Sequence, residues 1–158
     1  MKQNLLILMA LFVSSISFGQ NSAIDTFCQK LDSSLVDDHI ILHSVRHQTE
    51  FQDARYFDHY YIDTSKNTLI KSMYEYNFEG NGEYIEFYYR NSKIVKVTAK
   101  HRFDERKLFG RFYFKSDKLI DHIGGEIDGK IAFDIEHILK TGYNYMSNFP
   151  VIIKSLKF

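Results

Sequence analysis

One phrase is stated twice in the second half of this chain. Tyr88-Tyr89-Arg90-Asn91-Ser92-Lys93-Ile94-Val95 returns as Tyr113-Phe114-Lys115-Ser116-Asp117-Lys118-Leu119-Ile120. Each copy holds an aromatic pair, a cation, a small polar pair, a lysine and an aliphatic pair. A looser copy, Tyr61-Ile62-Asp63-Thr64-Ser65-Lys66-Asn67-Thr68-Leu69-Ile70, stands upstream with a longer turn. Aromatic and β-branched runs separated by short polar turns specify hairpins. Three hairpins in succession, with no proline before Pro150, predict one antiparallel sheet in which each strand lies beside its predecessor.

Register follows from keeping apolar residues on one face, because a one-residue slip reverses every side chain. A two-residue turn at Asn91-Ser92 sets Phe87 against Lys96 and mixes the faces. A three-residue loop, Asn91 to Lys93, pairs Tyr89 with Val95, Phe87 with Val97 and Ile85 with Ala99. The same loop length in the second copy pairs Phe114 with Ile120 and Phe112 with His122. A four-residue loop from Phe103 to Arg106 sets Val97 opposite Phe112. The expected core face is Ile85, Phe87, Val95, Val97, Phe112 and Phe114. His122 falls on it as a hydrogen-bonded core histidine, and Gly110, opposite Ala99, leaves room for something to pack closely.

The flanks are helical. From Ser22, the residues Ile24, Phe27, Cys28, Leu31 and Leu35 recur at three- and four-residue steps, with Asp25, Lys30 and Asp32 expected on the other side. Near the end, Ile131, Ile135, Ile138, Leu139 and Met146 recur with the same period, with Asp128 as the expected cap and Gly142 as a possible end or kink. This helix is expected to pack where Gly110 and Ala99 leave space. Val151-Ile152-Ile153, after Pro150, reads as a short strand or a packed tail. The fold class is therefore α+β: an antiparallel β-meander of about six or seven strands with an N-terminal and a C-terminal helix, one of them packed on a sheet face.

Residues 1–19 read as a signal peptide, with Lys2, the apolar run Leu5 to Ile16, and Ser17-Phe18-Gly19 as the cleavage site. Residues 20–158 then form a single α+β domain, exported to the periplasm or secreted. The apolar run is shorter than the roughly 20 residues that a membrane span needs. Asp25-Thr26-Phe27 before Cys28 lacks the small residue of a lipoprotein signal, so no stable membrane anchor is expected. One cysteine excludes an intramolecular disulfide and a cysteine-cluster metal site.

No phosphate loop, nucleophile elbow, zinc-protease helix or paired-cysteine motif is present in the sequence, so no cofactor and no catalytic residue is assigned. His39, His43 and His47 share a side as helix or as strand. The β-branched content favours a strand, along which the three are too spread to meet at one ion, and no metal is assigned. Asp121, Glu126 and Asp128 around Gly124-Gly125 read as turn residues.

Charge is distributed unevenly although the formal net charge is 0. Gln20 to Glu83 carries 5 Lys/Arg against 11 Asp/Glu, and Tyr84 to Phe158 carries 14 against 9. The register sends several of these cations to the face opposite the core, with Tyr84, Glu86, Tyr88, Lys96, Lys100, Phe109, Arg111, Tyr113 and Lys115. Cations among aromatic rings can hold anionic or sugar-like ligands through charge and cation–π contact. The candidate ligand-binding residues are Tyr84, Tyr88, Lys96, Lys100, Arg111 and Tyr113, and a helix laid over them would close the surface. Nucleic acid suits the same chemistry, but export removes it as a partner.

The two repeated units, with the helix that follows, resemble those of small exported Gram-negative bacterial proteins of uncharacterised function that carry a repeated β-hairpin meander. The resemblance covers the C-terminal half and implies a periplasmic meander with a helix. The function expected is a non-enzymatic binding or interaction module for an anionic or glycan ligand, or for an exported protein partner. The alternatives are a small metal-dependent or acid/base hydrolase, and an inhibitor or immunity-type partner of another exported protein.

Overall fold

The computed structural model describes residues 19–156 apart from 52, 80, 104 and 105; most of the expected signal peptide lies outside these residues. Helix α1 (residues 19–34) leads into seven strands. They are β1 (Ile40–Arg46), β2 (Arg55–Asp63), β3 (Thr68–Phe78), β4 (Asn81–Arg90), β5 (Lys93–Phe103), β6 (Arg106–Lys115) and β7 (Lys118–Gly124). All seven form one antiparallel sheet in sequence order, the meander anticipated from the repeats. A small hairpin, β8 (Glu126–Ile127) and β9 (Lys130–Ile131), then leads to helix α2 (Ile135–Ser155). The fold is α+β, with the two helices on opposite faces of the sheet.

Both copies of the repeated phrase turn through two residues, not three. Arg90 pairs with Lys93 and Lys115 with Lys118. Asn91 and Ser92 (φ 51° and 57°) and Ser116 and Asp117 (φ 49° and 66°) all adopt left-handed backbone. Two consecutive positive φ values give a hairpin turn whose twist matches that of the strands. The extra residue is taken up by a bulge at Tyr88/Tyr89 in the first copy and at Tyr113/Phe114 in the second. Beyond the bulges the expected pairs hold: Phe87 with Val97, Ile85 with Ala99, Val97 with Phe112, and Phe112 with His122.

Next to the turns the expected pairs fail. Tyr89 faces Ile94, and Phe114 faces Leu119. Ile94 therefore joins the main core in place of Val95, which packs with Cys28, Leu31 and Tyr88 on the other side. Tyr88 and Tyr89 serve opposite faces, as neighbours in a strand do, and the extra residue of the bulge is Val95 on β5, which leaves Ile94 opposite Tyr89.

The main core lies between the sheet and α2. Phe87, Val97, Phe112 and Phe114 are fully buried at its centre, with Ile138 and Tyr145 from the helix. Burying each such side chain is worth roughly 1.5–3 kcal/mol. The closest helix–sheet approach falls at Gly142, where a Cβ would sit 2.6 Å from Phe87 Cδ1 and 2.7 Å from Ile94 Cδ1. Gly142 therefore does not end the helix, which continues to Ser155; it lets the helix lie close. At Gly110 the close neighbours are the Phe112 ring and the Gly125 backbone, not the last helix.

Helix α2 also begins later than expected. Asp134 is its cap, accepting a hydrogen bond from the His137 N–H at 2.9 Å, while Asp128 (φ 52°) turns the β8–β9 hairpin and Ile131 lies in β9. The helix then runs through Pro150, so Val151 to Ile153 are helical. Proline inside a helix costs about 3 kcal/mol. Phe149, Ile152, Ile153 and Leu156, packed against the core on either side of it, offset that cost.

Two substitutions test this account. Gly142→Ala should destabilise the protein by about 1–3 kcal/mol through overpacking, although alanine is the better helix former by about 1 kcal/mol. Ser92→Gly should stabilise it by about 1 kcal/mol, by relieving the left-handed strain of a residue with a Cβ. Urea unfolding of the two variants reads both signs.

Candidate functional site

Helix α1 lies across the face opposite the main core, and it meets that face through polar as well as apolar groups. Ile24, Phe27, Cys28 and Leu31 pack against Tyr88, Ile70 and Val95. Asp25 and Asp32, expected to point away, instead reach the sheet. They share a stripe with Asn21 and Cys28, at helical spacings of four, three and four, so all four sit on one side of the helix.

Each of the three polar residues meets a partner on the strands. Asp25 Oδ1 accepts from Lys96 Nζ at 2.6 Å, and Asp25 Oδ2 accepts from the Tyr113 hydroxyl at 3.0 Å. Asp32 accepts from Lys71 Nζ at 3.0 Å and from the Tyr88 hydroxyl at 2.9 Å. Asn21 donates to Asp121 on β7. Lys71 also pairs with Glu86 at 2.8 Å, and Glu86 accepts from the Tyr84 hydroxyl at 2.6 Å. The ammonium of Lys71 stands 4.6 Å from the Tyr88 ring centre, and that of Lys96 stands 5.7 Å from both the Tyr88 and Tyr113 rings.

Burial shapes the ionisation of these groups. Burial disfavours the Lys71 ammonium, but hydrogen bonding and charge from Glu86, with Asp32, outweigh it and hold the pKa above the ordinary lysine value. Burial, then the hydrogen bond to Asp25, raises Tyr113 to about 12. Burial raises Cys28 from 9.0 to about 12, so this thiol is protonated at neutral pH.

The six residues singled out in the sequence are thus divided. Tyr88 and Tyr113 are buried beneath α1, and Lys96 is engaged by Asp25. Tyr84, Lys100 and Arg111 lie farther along the strands, with exposed Phe109. There Lys100 Nζ stands 5.2 Å from the Tyr84 ring centre and 6.0 Å from that of Phe109, and the Arg111 guanidinium stands 5.8 Å from the Phe109 ring. Among the described residues, no carboxylate forms a salt bridge with Lys100 or Arg111, and Arg111 Nε is buried without a hydrogen-bond partner. Tyr84, Lys100 and Phe109 line a cleft of about 480 Å³ at this end of the sheet, together with Tyr76, Arg102, Lys107 and the carboxylates Glu75 and Glu83, while Arg111 lies beside it. Aromatic and charged side chains therefore cluster on a surface consistent with binding.

The histidines take separate partners. His43 pairs with Tyr60 across β1 and β2, and His47 bonds Asp58 at 2.7 Å. His122 stacks with Phe112 and bonds Glu126 at 2.6 Å. Among the described residues no group of three or more His, Cys, Asp or Glu side chains could hold a metal ion. Among them also, no helix is long and apolar enough to cross a membrane. Comparison with family models, curated proteins and solved structures found no match.

Lys71, Asp25 and Asp32 escaped the sequence reading, although the 21-25-28-32 spacing carried a signal for the last two. Replacing Lys71 by Met should cost about 3–5 kcal/mol, because Glu86 would be left unpaired in a water-poor site. Cys28 should resist thiol reagents at pH 8 in the folded protein and react at once in urea. Its raised pKa means that the stability it contributes is complete below about pH 9 and is lost as pH climbs towards 12. Labelling kinetics and thermal melts across that range check both statements.

Proposed function

We propose that this protein is an exported, non-enzymatic binding module that takes an anionic or acidic-glycan ligand at the open end of its basic aromatic face. The observation that carries the proposal is the set of Lys100 and Arg111 beside the rings of Tyr84 and Phe109, with both cations free of salt bridges among the described residues. Ammonium and guanidinium groups on aromatic platforms offer charge to an anion while the rings offer apolar area to a sugar or linker. The 480 Å³ cleft falls within the range of small-molecule sites, roughly 300–1,000 Å³.

Lys96, Tyr88 and Tyr113 serve a different purpose. Their polar atoms are already taken by Asp25 and Asp32, so they hold the helix and leave ligand capture to the uncovered residues. Export rests on the character of residues 1–19. An exported binding domain also fits a chain in which no motif for phosphate, cofactor or nucleophile chemistry is present.

The test is a calorimetric titration with a sulfated hexasaccharide and with the same sugar stripped of sulfate. The sulfated form should bind, the stripped form should bind at least about tenfold more weakly, and Lys100→Ala with Arg111→Ala should weaken binding by about the same factor without lowering the melting temperature. Equal affinity in the double variant, or no binding of either sugar, would contradict the proposal.

A further inference from the structure

On the other face of the sheet, where α2 passes over β2 and β3, helix and strands enclose a recess of about 350 Å³. Its floor is Tyr56, Asp58, Tyr60 and Tyr74, and its wall on the helix includes Thr141, Asn144, Tyr145 and Asn148. Three features set it apart from the rest of the surface.

The first is a half-buried carboxylate. The Asp58 side chain is 15% exposed, and it is held in place by two donors: His47 Nε2 at 2.7 Å and the Tyr145 hydroxyl. A carboxylate can accept about four hydrogen bonds, so two positions remain for a ligand. The second is the ring arrangement. Tyr56 and Tyr74 meet edge to face at 5.4 Å, and Tyr60 and Tyr145 do so at 5.2 Å. Four tyrosines therefore surround one acid. The third is the lining, which holds neither lysine nor arginine; its one imidazole is His137 on the helix, and the imidazole that bonds Asp58 is His47.

Burial, reinforced by the charge of Asp58, pushes all four tyrosine hydroxyls upward, Tyr74 to about 12. At neutral pH the rings are thus uncharged; Tyr60 and Tyr145 are buried, one face of Tyr56 is stacked on His47 at 4.1 Å, and half-buried Tyr56 and Tyr74 are the rings that border the recess beside Asp58. Glu83 adds negative potential beside Tyr74. Rings of this kind attract cations, most strongly those that are weakly hydrated.

We propose that this recess is a second ligand site, which binds a small organic cation such as a quaternary or alkylated ammonium group, with the tyrosine rings as its walls and Asp58 as its counter-ion. The site is separate from the cleft at Lys100 and selects the opposite charge. Thr141, Asn144 and Asn148, on the exposed side, can hydrogen-bond a polar tail attached to the cation.

The test uses choline and its uncharged isostere 3,3-dimethylbutan-1-ol, titrated into the whole protein and followed by amide chemical shifts. Choline should perturb resonances around Tyr74, Thr141 and Asn144, and the isostere should bind at least about tenfold more weakly. Asp58→Asn should reduce choline affinity by a similar factor. Because that change also alters the bonds to His47 and Tyr145, Tyr74→Leu serves as a second variant; it removes one ring face and should weaken binding severalfold. Equal binding of the isostere, unchanged affinity in a folded Tyr74→Leu variant, or no response to choline at about 50 mM, where even a millimolar site would be filled, would overturn the assignment.

Discussion

Two carboxylates on the first helix, Asp25 and Asp32, decide how one whole face of this protein is used. They reach down to Lys96 with Tyr113 and to Lys71 with Tyr88, and the rest of α1 is positioned by those bonds. A sheet face built from lysines and tyrosines cannot be covered by an apolar helix without stranding its polar atoms, and each stranded group costs about 1–3 kcal/mol. Acids on the inner side of α1 remove that difficulty. They convert what would be a continuous basic surface into a covered half and an open half, and only the open half is available for a ligand.

The opposite face is held by different physics. Phe87, Val97, Phe112 and Phe114 bury fully against α2, and Gly142 lets the helix backbone approach them closely. The contact is apolar along most of its length and turns polar where Asp58 and its tyrosines meet one side of the helix. Each face therefore has a region closed by its helix and a region left partly open. The two open regions differ in charge: Lys100, Arg102 and Lys107 with Glu75 and Glu83 on one, Asp58 with His137 on the other.

The meander and its central rows were legible in the sequence because alternation of apolar residues leaves little freedom: Phe87, Val97 and Phe112 can share a face in only one register. The turns were not legible in the same way. Alternation read through Asn91 and Ser92 calls for a third loop residue, whereas the chain makes a two-residue turn and absorbs the difference in a bulge, which exchanges Ile94 for Val95 in the core. Hydrophobic periodicity also placed Asp25 and Asp32 on the wrong side of α1, since it assumes that an inner face is apolar. Here the inner face is partly acidic because the surface beneath it is basic, and that complementarity exists only once strands distant in sequence are side by side. Asp58, Tyr74 and Tyr145 come together for the same reason, from three elements with no common motif.

A double-mutant cycle between Asp25 and Lys96 measures the central interaction directly. Asp25→Asn, Lys96→Met and the pair, unfolded in urea, should show a coupling of about 1–2 kcal/mol, as for contacting groups removed from most of the solvent. Additivity within about 0.5 kcal/mol would mean that the acid and the lysine are independent, and would contradict the claim that this pair holds α1 on the sheet.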